Sequence, residues 1–228
     1  LGGYVTGPGG VAARLLGKPL IIHEQNAVAG FTNRQLSRMA TRVLEAFPSA
    51  FPASEKVQCV GNPVRIDIAA LPAPDARFAE RNGALRVLVM GGSQGAVALN
   101  ELVPEALSLL AGQMPIEIRH QAGKKNTEKA VAQYRGLGLK ADVLPFIDDM
   151  AAMYGWADLA SCRSGALTVS ELAAAGVASV LIPYPFAVDD HQTANGRYLS
   201  DAGAALLISQ KELTAEKLAR ELQPLMNR

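Results

Sequence analysis

Apolar and polar positions along the chain predict strands and helices that alternate from one end to the other. Short apolar runs bounded by glycine, proline or polar residues are typical of buried strands. They predict strands at residues 19–23, 41–46, 57–60, 85–90, 116–120, 141–144, 158–162, 178–182 and 204–208. Strands that alternate with helices favour an α/β fold with parallel sheets, because right-handed crossovers bring successive strands back into the same direction.

The segments between these runs carry helical spacing and helix punctuation. Helices are expected at residues 11–16, 31–40, 96–110, 126–134, 148–154, 166–175 and 189–199, with a last one from residue 214 onward. From residue 85 onward the pattern predicts a doubly wound parallel sheet. A proline-rich stretch at residues 71–75 is typical of a linker. We therefore expect a domain boundary near residue 66.

The strand–helix–strand unit at residues 158–182 offers the clearest candidate for an anion site. Its first strand leads into Ser164 and Gly165, a helix follows over residues 166–175, and Gly176 is expected to stop that helix. Free N–H groups and the macrodipole at a helix amino terminus favour anions, of which phosphate is the obvious one. Glu171 lies further along the helix, where its carboxylate is placed to accept hydrogen bonds from a pair of ribose hydroxyls.

Two glycine-rich segments each allow two interpretations. Residues 91–96 (GGSQGA) follow a strand and precede a helix, which fits a phosphate-binding loop with a Ser93 hydroxyl donor or a plain turn. The segment is neither a G-x-G-x-x-G fingerprint nor a Walker loop, since no Gly-Lys-Ser/Thr follows. Residues 2–10 (GGYVTGPGG) fit a tight turn or a cradle for an anion or a lipid head group.

Polar residues also follow the predicted strand at residues 19–23. The stretch HEQN, which begins at His23, lies at the carboxyl end of that strand, where ligands bind in open α/β sheets. His23 fits a buried or capping role as well as a functional one. Arg65, at the expected boundary, fits either a solvated hinge charge or a group that reaches into a cleft between domains.

Basic side chains recur in the first part of the chain, at Arg14, Arg34, Arg38 and Arg42. They fit a solvated surface or a contact with anionic lipid. Over the whole chain, 49% of the 228 residues are apolar, 19% are charged and the net charge is +1. This composition is typical of an ordinary globular protein and gives no global field for nucleic acid. The longest apolar stretch, residues 176–188, is too short to span a bilayer and is interrupted by prolines.

Cysteine and acidic residues show no ligand spacing that predicts a metal. Cys59 and Cys162 are far apart in sequence, which favours reduced thiols. Asp148 is expected to cap a helix and Asp149 to lie in its first turn. Neither Asp pair has the D-x-D spacing for a metal-bound diphosphate, so we predict no metal-dependent nucleotide site. The chain opens on a glycine-rich segment without an initiator Met, which suggests a piece of a longer protein.

A set of short strings occurs in the order and spacing of a known family: GGYVTGPGG, HEQN, GNPVR, GGSQGA, FIDDM, CRSGALTVSE and DDHQTAN. Together they make the chain closely resemble the MurG family of bacterial UDP-N-acetylglucosamine (UDP-GlcNAc) transferases, which convert lipid I to lipid II in peptidoglycan synthesis. The resemblance covers essentially the whole chain. It implies a GT-B fold with two Rossmann-like domains, of which the first is incomplete here. Residues 1–65 would end the acceptor and membrane domain, and residues 66–228 would form the donor domain.

The resemblance also implies roles for particular residues and no cofactor. At the nucleotide we expect Ser93 and Gln94 beside the diphosphate, Ile147 near the uracil and Glu171 at the ribose. The loop and helix start under the nucleotide would be formed by Arg163, Ser164, Ala166, Leu167 and Thr168. Arg65 is expected near the cleft, and the residues expected at the sugar are Asn26, His191, Gln192 and Asn195. His191 stands where some members have glutamine. His23 and Glu24 are candidates for the catalytic base, and a histidine in a loop that members carry before this start is a rival.

The implied reaction is an inverting displacement at the anomeric carbon of GlcNAc by the C4 hydroxyl of lipid-linked MurNAc. Implied partners are UDP-GlcNAc, lipid I, an anionic phospholipid surface and other cell-wall synthesis proteins, at the cytoplasmic face of the bacterial inner membrane. Members carry further residues before and after this chain. Two alternatives stay open. One is a UDP-GlcNAc 2-epimerase, which shares the architecture, and the other is a nucleotide-sugar binding fragment without activity.

Overall fold

The computed structural model of the chain describes residues 5–79, 81, 83–91, 96–187 and 190–226. The described part contains a three-stranded sheet followed by a six-stranded sheet. The first sheet has the order β1-β2-β3 and all of its strands are parallel. Its elements are α1 (Thr6–Leu15), β1 (Ile21–Glu24), α2 (Phe31–Ser37), β2 (Arg42–Glu45) and β3 (Val57–Cys59).

Helix α1 differs from its sequence prediction, because it begins at Thr6 rather than at residue 11. Gly7, Gly9 and Gly10 are therefore helical, and neither a tight turn nor a cradle forms over them. Gly10 allows α1 to approach α2 closely, since a Cβ at this position would lie 2.8 Å from Cδ2 of Leu36. The preceding glycines of the string, at positions 2 and 3, lie outside the described residues.

Two short helices connect the sheets, α3 (Ile66–Ala69) and α4 (Pro74–Phe78). The proline-rich stretch is thus partly helical rather than an extended linker, because Pro74 occupies the first turn of α4, where its missing N–H costs nothing. Ile68 is fully buried in the same apolar cluster as residues of the second sheet. The connecting segment is consequently packed against the part of the chain that forms the second sheet.

The second sheet is parallel throughout, with the order β6-β5-β4-β7-β8-β9. This order confirms the predicted doubly wound arrangement, with a topological switch between β4 and β7. Its elements are β4 (Leu85–Met90), α5 (Val97–Leu110), β5 (Ile116–Gln121), α6 (Thr127–Gly136), β6 (Asp142–Leu144), α7 (Met150–Trp156), β7 (Leu159–Cys162), α8 (Ala166–Ala175), β8 (Ala178–Leu181), α9 (His191–Ser200), β9 (Ala205–Leu207) and α10 (Ala215–Leu222).

The second sheet is buried on both faces because alternate residues of its strands point to opposite sides. Val87 and Val89 of β4 join a cluster with helices α5 and α10, while Leu88 and Met90 join a cluster with α7 and α8. Strands covered on both faces read as nearly continuous apolar runs, and β4, with Arg86 as its one polar residue, is recognisable from sequence for this reason.

The residue that caps α7 differs from the predicted one. Asp149, rather than Asp148, caps α7, because its carboxylate accepts a 2.8 Å hydrogen bond from the Ala152 N–H. Both cysteines are free, Cys59 exposed and Cys162 buried. Among the described residues, no helix combines the length and the apolarity needed to cross a bilayer.

Candidate functional site

The loops after β1 and β3 meet helices α8 and α9 at the junction of the two sheets. Asn62, in the loop after β3, donates from Nδ2 to the Gln25 carbonyl and to Oγ of Ser170 on α8, each at 3.0 Å. Asn195 on α9 accepts a hydrogen bond from the Ala27 N–H at 2.7 Å. The loops that follow strands of the first sheet are therefore hydrogen-bonded directly to helices α8 and α9, which pack on the second sheet.

Asn195 also forms hydrogen bonds with Asn26, which the sequence predicts at the sugar, and with Ser164, which it predicts under the nucleotide. Its Nδ2 donates to Oδ1 of Asn26 at 3.2 Å and to the carbonyl of Ser164 at 3.3 Å. Asn195 is 0% exposed, so its side chain is buried at the junction. In this structure Asn195 joins the loop after β1 to the turn before α8.

Helix α8 begins next to this junction, at the turn that the sequence predicts for an anion. Gly165 is its N-cap and, in the described chain, no side chain caps its first N–H groups. Ala166 is buried, Leu167 is 48% exposed and the hydroxyl-bearing Thr168 lies in the same turn. The first-turn N–H groups and the helix dipole make this end electropositive. An anion is the chemical species that suits it.

Glu171 lies further along α8 and faces two partners. Its Oε2 accepts a hydrogen bond from the Tyr154 hydroxyl at 3.0 Å, and its Oε1 lies 3.9 Å from Nε of Arg65. Arg65 is 46% exposed and also lies 3.7 Å from a carboxylate oxygen of Asp67. The predicted boundary residue Arg65 and the predicted ribose residue Glu171 are thus brought together across the junction.

His23 and Glu24 end β1 in different environments. The Glu24 carboxylate is 3% exposed and accepts hydrogen bonds from Asn26 and Gly30 N–H groups and from Nδ2 of Asn33, at 3.0, 3.1 and 2.8 Å. These donors fold the loop after β1 around the carboxylate. His23 Nε2 lies 3.0 Å from the carbonyl of Gly61, which requires the proton on Nε2.

Arg163 is held by hydrogen-bond acceptors in the segments that follow β8 and β9. Its guanidinium donates to the carbonyls of Ile182 and Pro183 and, at 2.6 Å, to Oε1 of Gln210. It also lies over the ring of Tyr184, 5.6 Å from the centroid. Burial lowers the pKa of Arg163 from its usual range, and the surrounding acceptors compensate for the buried charge.

The other predicted donor residues that the structure describes lie at the start of α9 and just before α7. Gln192 accepts a 2.8 Å hydrogen bond from the Tyr184 N–H, while His191 begins α9. Ile147 is 5% exposed and packs in the cluster that contains α7 and α8. Ser93 and Gln94 lie outside the described residues. Within the described chain, no group of His, Cys, Asp and Glu side chains is arranged to hold a metal ion.

Sequence reasoning missed Tyr154, Asn62 and Asn33, which hold the predicted residues in place. Tyr154 lies within an apolar helix pattern, where a tyrosine reads as core. Asn62 is inside the GNPVR string, but no spacing connects it to Ser170, which lies 108 positions away. Asn33, in α2, is a polar residue of the kind usually found at the surface and is nevertheless buried at 2% exposure. Only the packing of the elements reveals these partners.

Two parallel α/β sheets that meet at the carboxyl ends of their strands, with an electropositive helix end and a carboxylate at the junction, have the arrangement of the GT-B fold. The glycosyltransferase family 28 C-terminal domain matches residues 86–228, and the N-terminal domain of the same family matches residues 1–45. The chain belongs to glycosyltransferase family 28.

Close relatives carry a common name, UDP-N-acetylglucosamine--N-acetylmuramyl-(pentapeptide) pyrophosphoryl-undecaprenol N-acetylglucosamine transferase. The protein of that name from Ralstonia nicotianae is 57% identical over 99% of this chain, which spans 62% of the relative. That from Marinobacter nauticus is 55% identical, again over 99% of this chain and 62% of the relative. The crystal structure of Acinetobacter baumannii MurG superposes with a TM-score of 0.90 at 52% identity, covering 100% of this chain and 63% of that one. The predicted resemblance to the MurG family is confirmed.

Proposed function

We propose that this chain binds UDP-GlcNAc and serves the transfer of GlcNAc to the C4 hydroxyl of the MurNAc in lipid I, which yields lipid II. The observation that carries the proposal is the pairing of Glu171 with Arg65 beside the uncapped start of α8, where both sheets end. This arrangement offers separate groups for a phosphate and for a sugar diol at one junction. The names of relatives more than 50% identical to the chain support the same substrates.

The donor would lie along the second sheet, in the proposed donor domain of residues 66–228. We propose that the N–H groups of the first turn of α8 meet the diphosphate and that Glu171 accepts hydrogen bonds from the ribose hydroxyls. Ile147 would lie near the uracil, with Ser93 and Gln94 beside the diphosphate. Asn26 and Gln192 would lie near the sugar.

The reaction would break the bond between the anomeric carbon and the UDP oxygen while the MurNAc C4 oxygen attacks from the opposite face. The hydroxyl proton passes to a base, and UDP leaves as an anion whose charge the helix end stabilises as it develops. Of the two predicted bases, His23 is the one that we propose takes the proton. The buried bonding of Glu24 supports a different role for that residue, which is to shape the loop that presents Asn26.

The acceptor and membrane side of the proposal rests on residues 1–65. We propose that Arg14, Arg34, Arg38 and Arg42 contact anionic phospholipid at the cytoplasmic face of the bacterial inner membrane. Other cell-wall synthesis proteins are proposed partners on the basis of the family resemblance. Peripheral attachment of this kind needs only charge and shallow contacts.

Calorimetric titration of UDP-GlcNAc tests the donor assignment directly. The wild-type chain should bind, and Glu171→Ala should bind at least about tenfold more weakly, since a charge-assisted hydrogen bond is lost. Glu105→Ala, which removes an exposed carboxylate from α5, is the matched control and should bind like the wild type. Titrations with and without added Mg²⁺ test the expectation that no metal is needed. Equal binding by Glu171→Ala and wild type would remove Glu171 from the site.

Product analysis separates the transferase from its two alternatives. Incubation with UDP-GlcNAc and lipid I should yield lipid II and UDP. Release of free N-acetylmannosamine would instead identify a 2-epimerase. Tight binding of UDP-GlcNAc without any product would identify a nucleotide-sugar binding fragment.

A further inference from the structure

The two oxygens of the Glu171 carboxylate face different surroundings. Oε2 accepts the Tyr154 hydroxyl at 3.0 Å from within the core, where Tyr154 is 1% exposed. Oε1 faces the opposite way, towards the half-exposed Arg65 at 3.9 Å. One oxygen is therefore held from inside the protein while the other is presented to the junction.

Tyr154 is confined to the role of hydrogen-bond donor in this pair. Burial raises the pKa of its phenol far above the usual range, and nearby Cys162 and Glu171 add to the shift, so the hydroxyl keeps its proton. The ring packs in the cluster with Leu172 and Val169 of α8, which places the hydroxyl rigidly against that helix. A neutral phenol has one proton to donate, and the Glu171 carboxylate receives it.

A glutamate carboxylate without such a partner turns freely, because its terminal torsion is broad. A vicinal diol is bound well only when the plane of the carboxylate is fixed relative to both hydroxyls, since hydrogen bonds weaken steeply with angle. The bond from Tyr154 supplies that restriction from a residue that is buried beneath the junction. Arg65 alone is a poor substitute, because it is half-exposed at the surface and shared with Asp67.

We propose that Tyr154 is a positioning residue for nucleotide recognition, which fixes the Glu171 carboxylate so that Oε1 meets the ribose diol. The inference rests on the proposed donor site. If the inference holds, the chain prefers a ribonucleotide to its dideoxy analogue because the Tyr154 phenol, buried beneath the site, orients the Glu171 carboxylate. Tyr154 acts through Glu171 and has no contact of its own with the nucleotide.

Titrations of UDP and of 2′,3′-dideoxy-UDP into the wild type, Tyr154→Phe, Glu171→Ala and the double variant test this inference. Tyr154→Phe should weaken UDP binding about tenfold, the equivalent of one net hydrogen bond to a charged group. It should leave the affinity for dideoxy-UDP unchanged. In the double variant the Tyr154 change should add almost nothing to the effect of Glu171→Ala, because both act on the same contact.

Tyr134→Phe is the matched control, because it removes a buried phenol hydroxyl that pairs with His120 instead of Glu171. This variant should bind both nucleotides like the wild type. If Tyr154→Phe folds poorly, Tyr154→Met also lacks the donor and fills the space with a flexible apolar chain.

The outcomes separate the inference from the function on which it rests. A folded wild-type chain that binds neither nucleotide overturns both. Wild-type binding of UDP that Tyr154→Phe leaves unchanged overturns the inference alone. Equal losses for UDP and dideoxy-UDP also overturn it, since they would mean a general disturbance of the core and not a loss of diol recognition.

Discussion

The side-chain oxygen of Asn195 accepts a 2.7 Å hydrogen bond from the backbone N–H of Ala27, across 168 positions of sequence. The same side chain donates to Asn26 and to the Ser164 carbonyl. One fully buried carboxamide thus joins the loop after β1 to the turn that opens α8. The sugar contact that the sequence predicts for Asn195 stays a prediction, and the observed bonds of this side chain are all to the protein itself.

Truncating this side chain should destabilise the chain without creating a large cavity. Asn195→Ala leaves the Ala27 N–H and the Ser164 carbonyl without this partner, and we expect a loss of about 2 to 3 kcal/mol in the free energy of unfolding. Urea unfolding followed by circular dichroism measures the change. Gln113→Ala, at an exposed position, is the control and should unfold like the wild type. Unchanged midpoints for Asn195→Ala would mean that the bonds contribute nothing net.

Gly176 should resist substitution for two separate reasons. Its φ of 59° is left-handed, and a Cβ there would lie 2.4 Å from Cγ of Pro74. Gly176→Ala should therefore cost about 2 kcal/mol or more, which corresponds to a fall in Tm of roughly 4 to 8 °C for a chain of this size. Gly112→Ala, which meets nothing within 4 Å, is the control in the same thermal scan. Similar Tm values for the two variants would contradict the assignment of strain to position 176.

His120 lies at the centre of a buried polar network in the second sheet. Asn100 donates from Nδ2 to the Ala122 carbonyl at 3.0 Å, so its Oδ1 faces His120 Nε2, also at 3.0 Å. The ring therefore carries its proton on Nε2, and Nδ1 accepts from the Tyr134 hydroxyl at 3.0 Å. Burial lowers the pKa of His120 to about 4 from a usual 6.5. The folded chain keeps this imidazole neutral.

This depressed pKa makes the stability depend on pH. Between about pH 6.5 and pH 4 the unfolded chain binds a proton at His120 that the folded chain does not, so the contribution is complete above 6.5 and falls as the pH is lowered. The loss should reach roughly 3 kcal/mol by pH 4. Urea titrations across this range should show a shallower pH dependence for His120→Gln than for the wild type. Parallel curves would mean that His120 titrates alike in both states.

Binding of the chain to anionic vesicles should depend on the basic residues of α2 and its end. Arg34→Glu combined with Arg38→Glu should reduce binding to phosphatidylglycerol vesicles at least about tenfold, because each basic residue near such a surface contributes about 1 kcal/mol. The pair Arg135→Glu and Lys140→Glu, at exposed positions in the second part, changes the net charge equally and should have little effect. Co-sedimentation measures both. Equal binding by the two double variants would end the lipid hypothesis for this surface.

Local patterns predicted the elements around the site well. The predicted helix at residues 166–175 matches α8, and Gly176 ends it as expected, because a left-handed glycine is a local stop signal. Strand β4 matches its apolar run, in which Arg86 is the one polar residue, since burial on both faces favours apolar side chains at nearly every position. The predicted helix at residues 11–16 is shorter than the observed α1, because glycine and proline lower helix propensity and a sequence pattern does not show the packing against α2 that offsets this loss.

The sequence by itself determined most of the strands and helices, the parallel doubly wound arrangement, and the family, because periodicity, helix punctuation and short strings are local properties of the chain. Only the tertiary structure decided that Tyr154 holds Glu171, that Asn33 closes the loop around Glu24, and that Asn195 lies inside the protein. These partners lie on different elements, so their contacts depend on how helices pack on the sheets and how the sheets meet. Hydrogen bonds of this kind require atomic positions within a few tenths of an ångström, which no spacing along a sequence specifies.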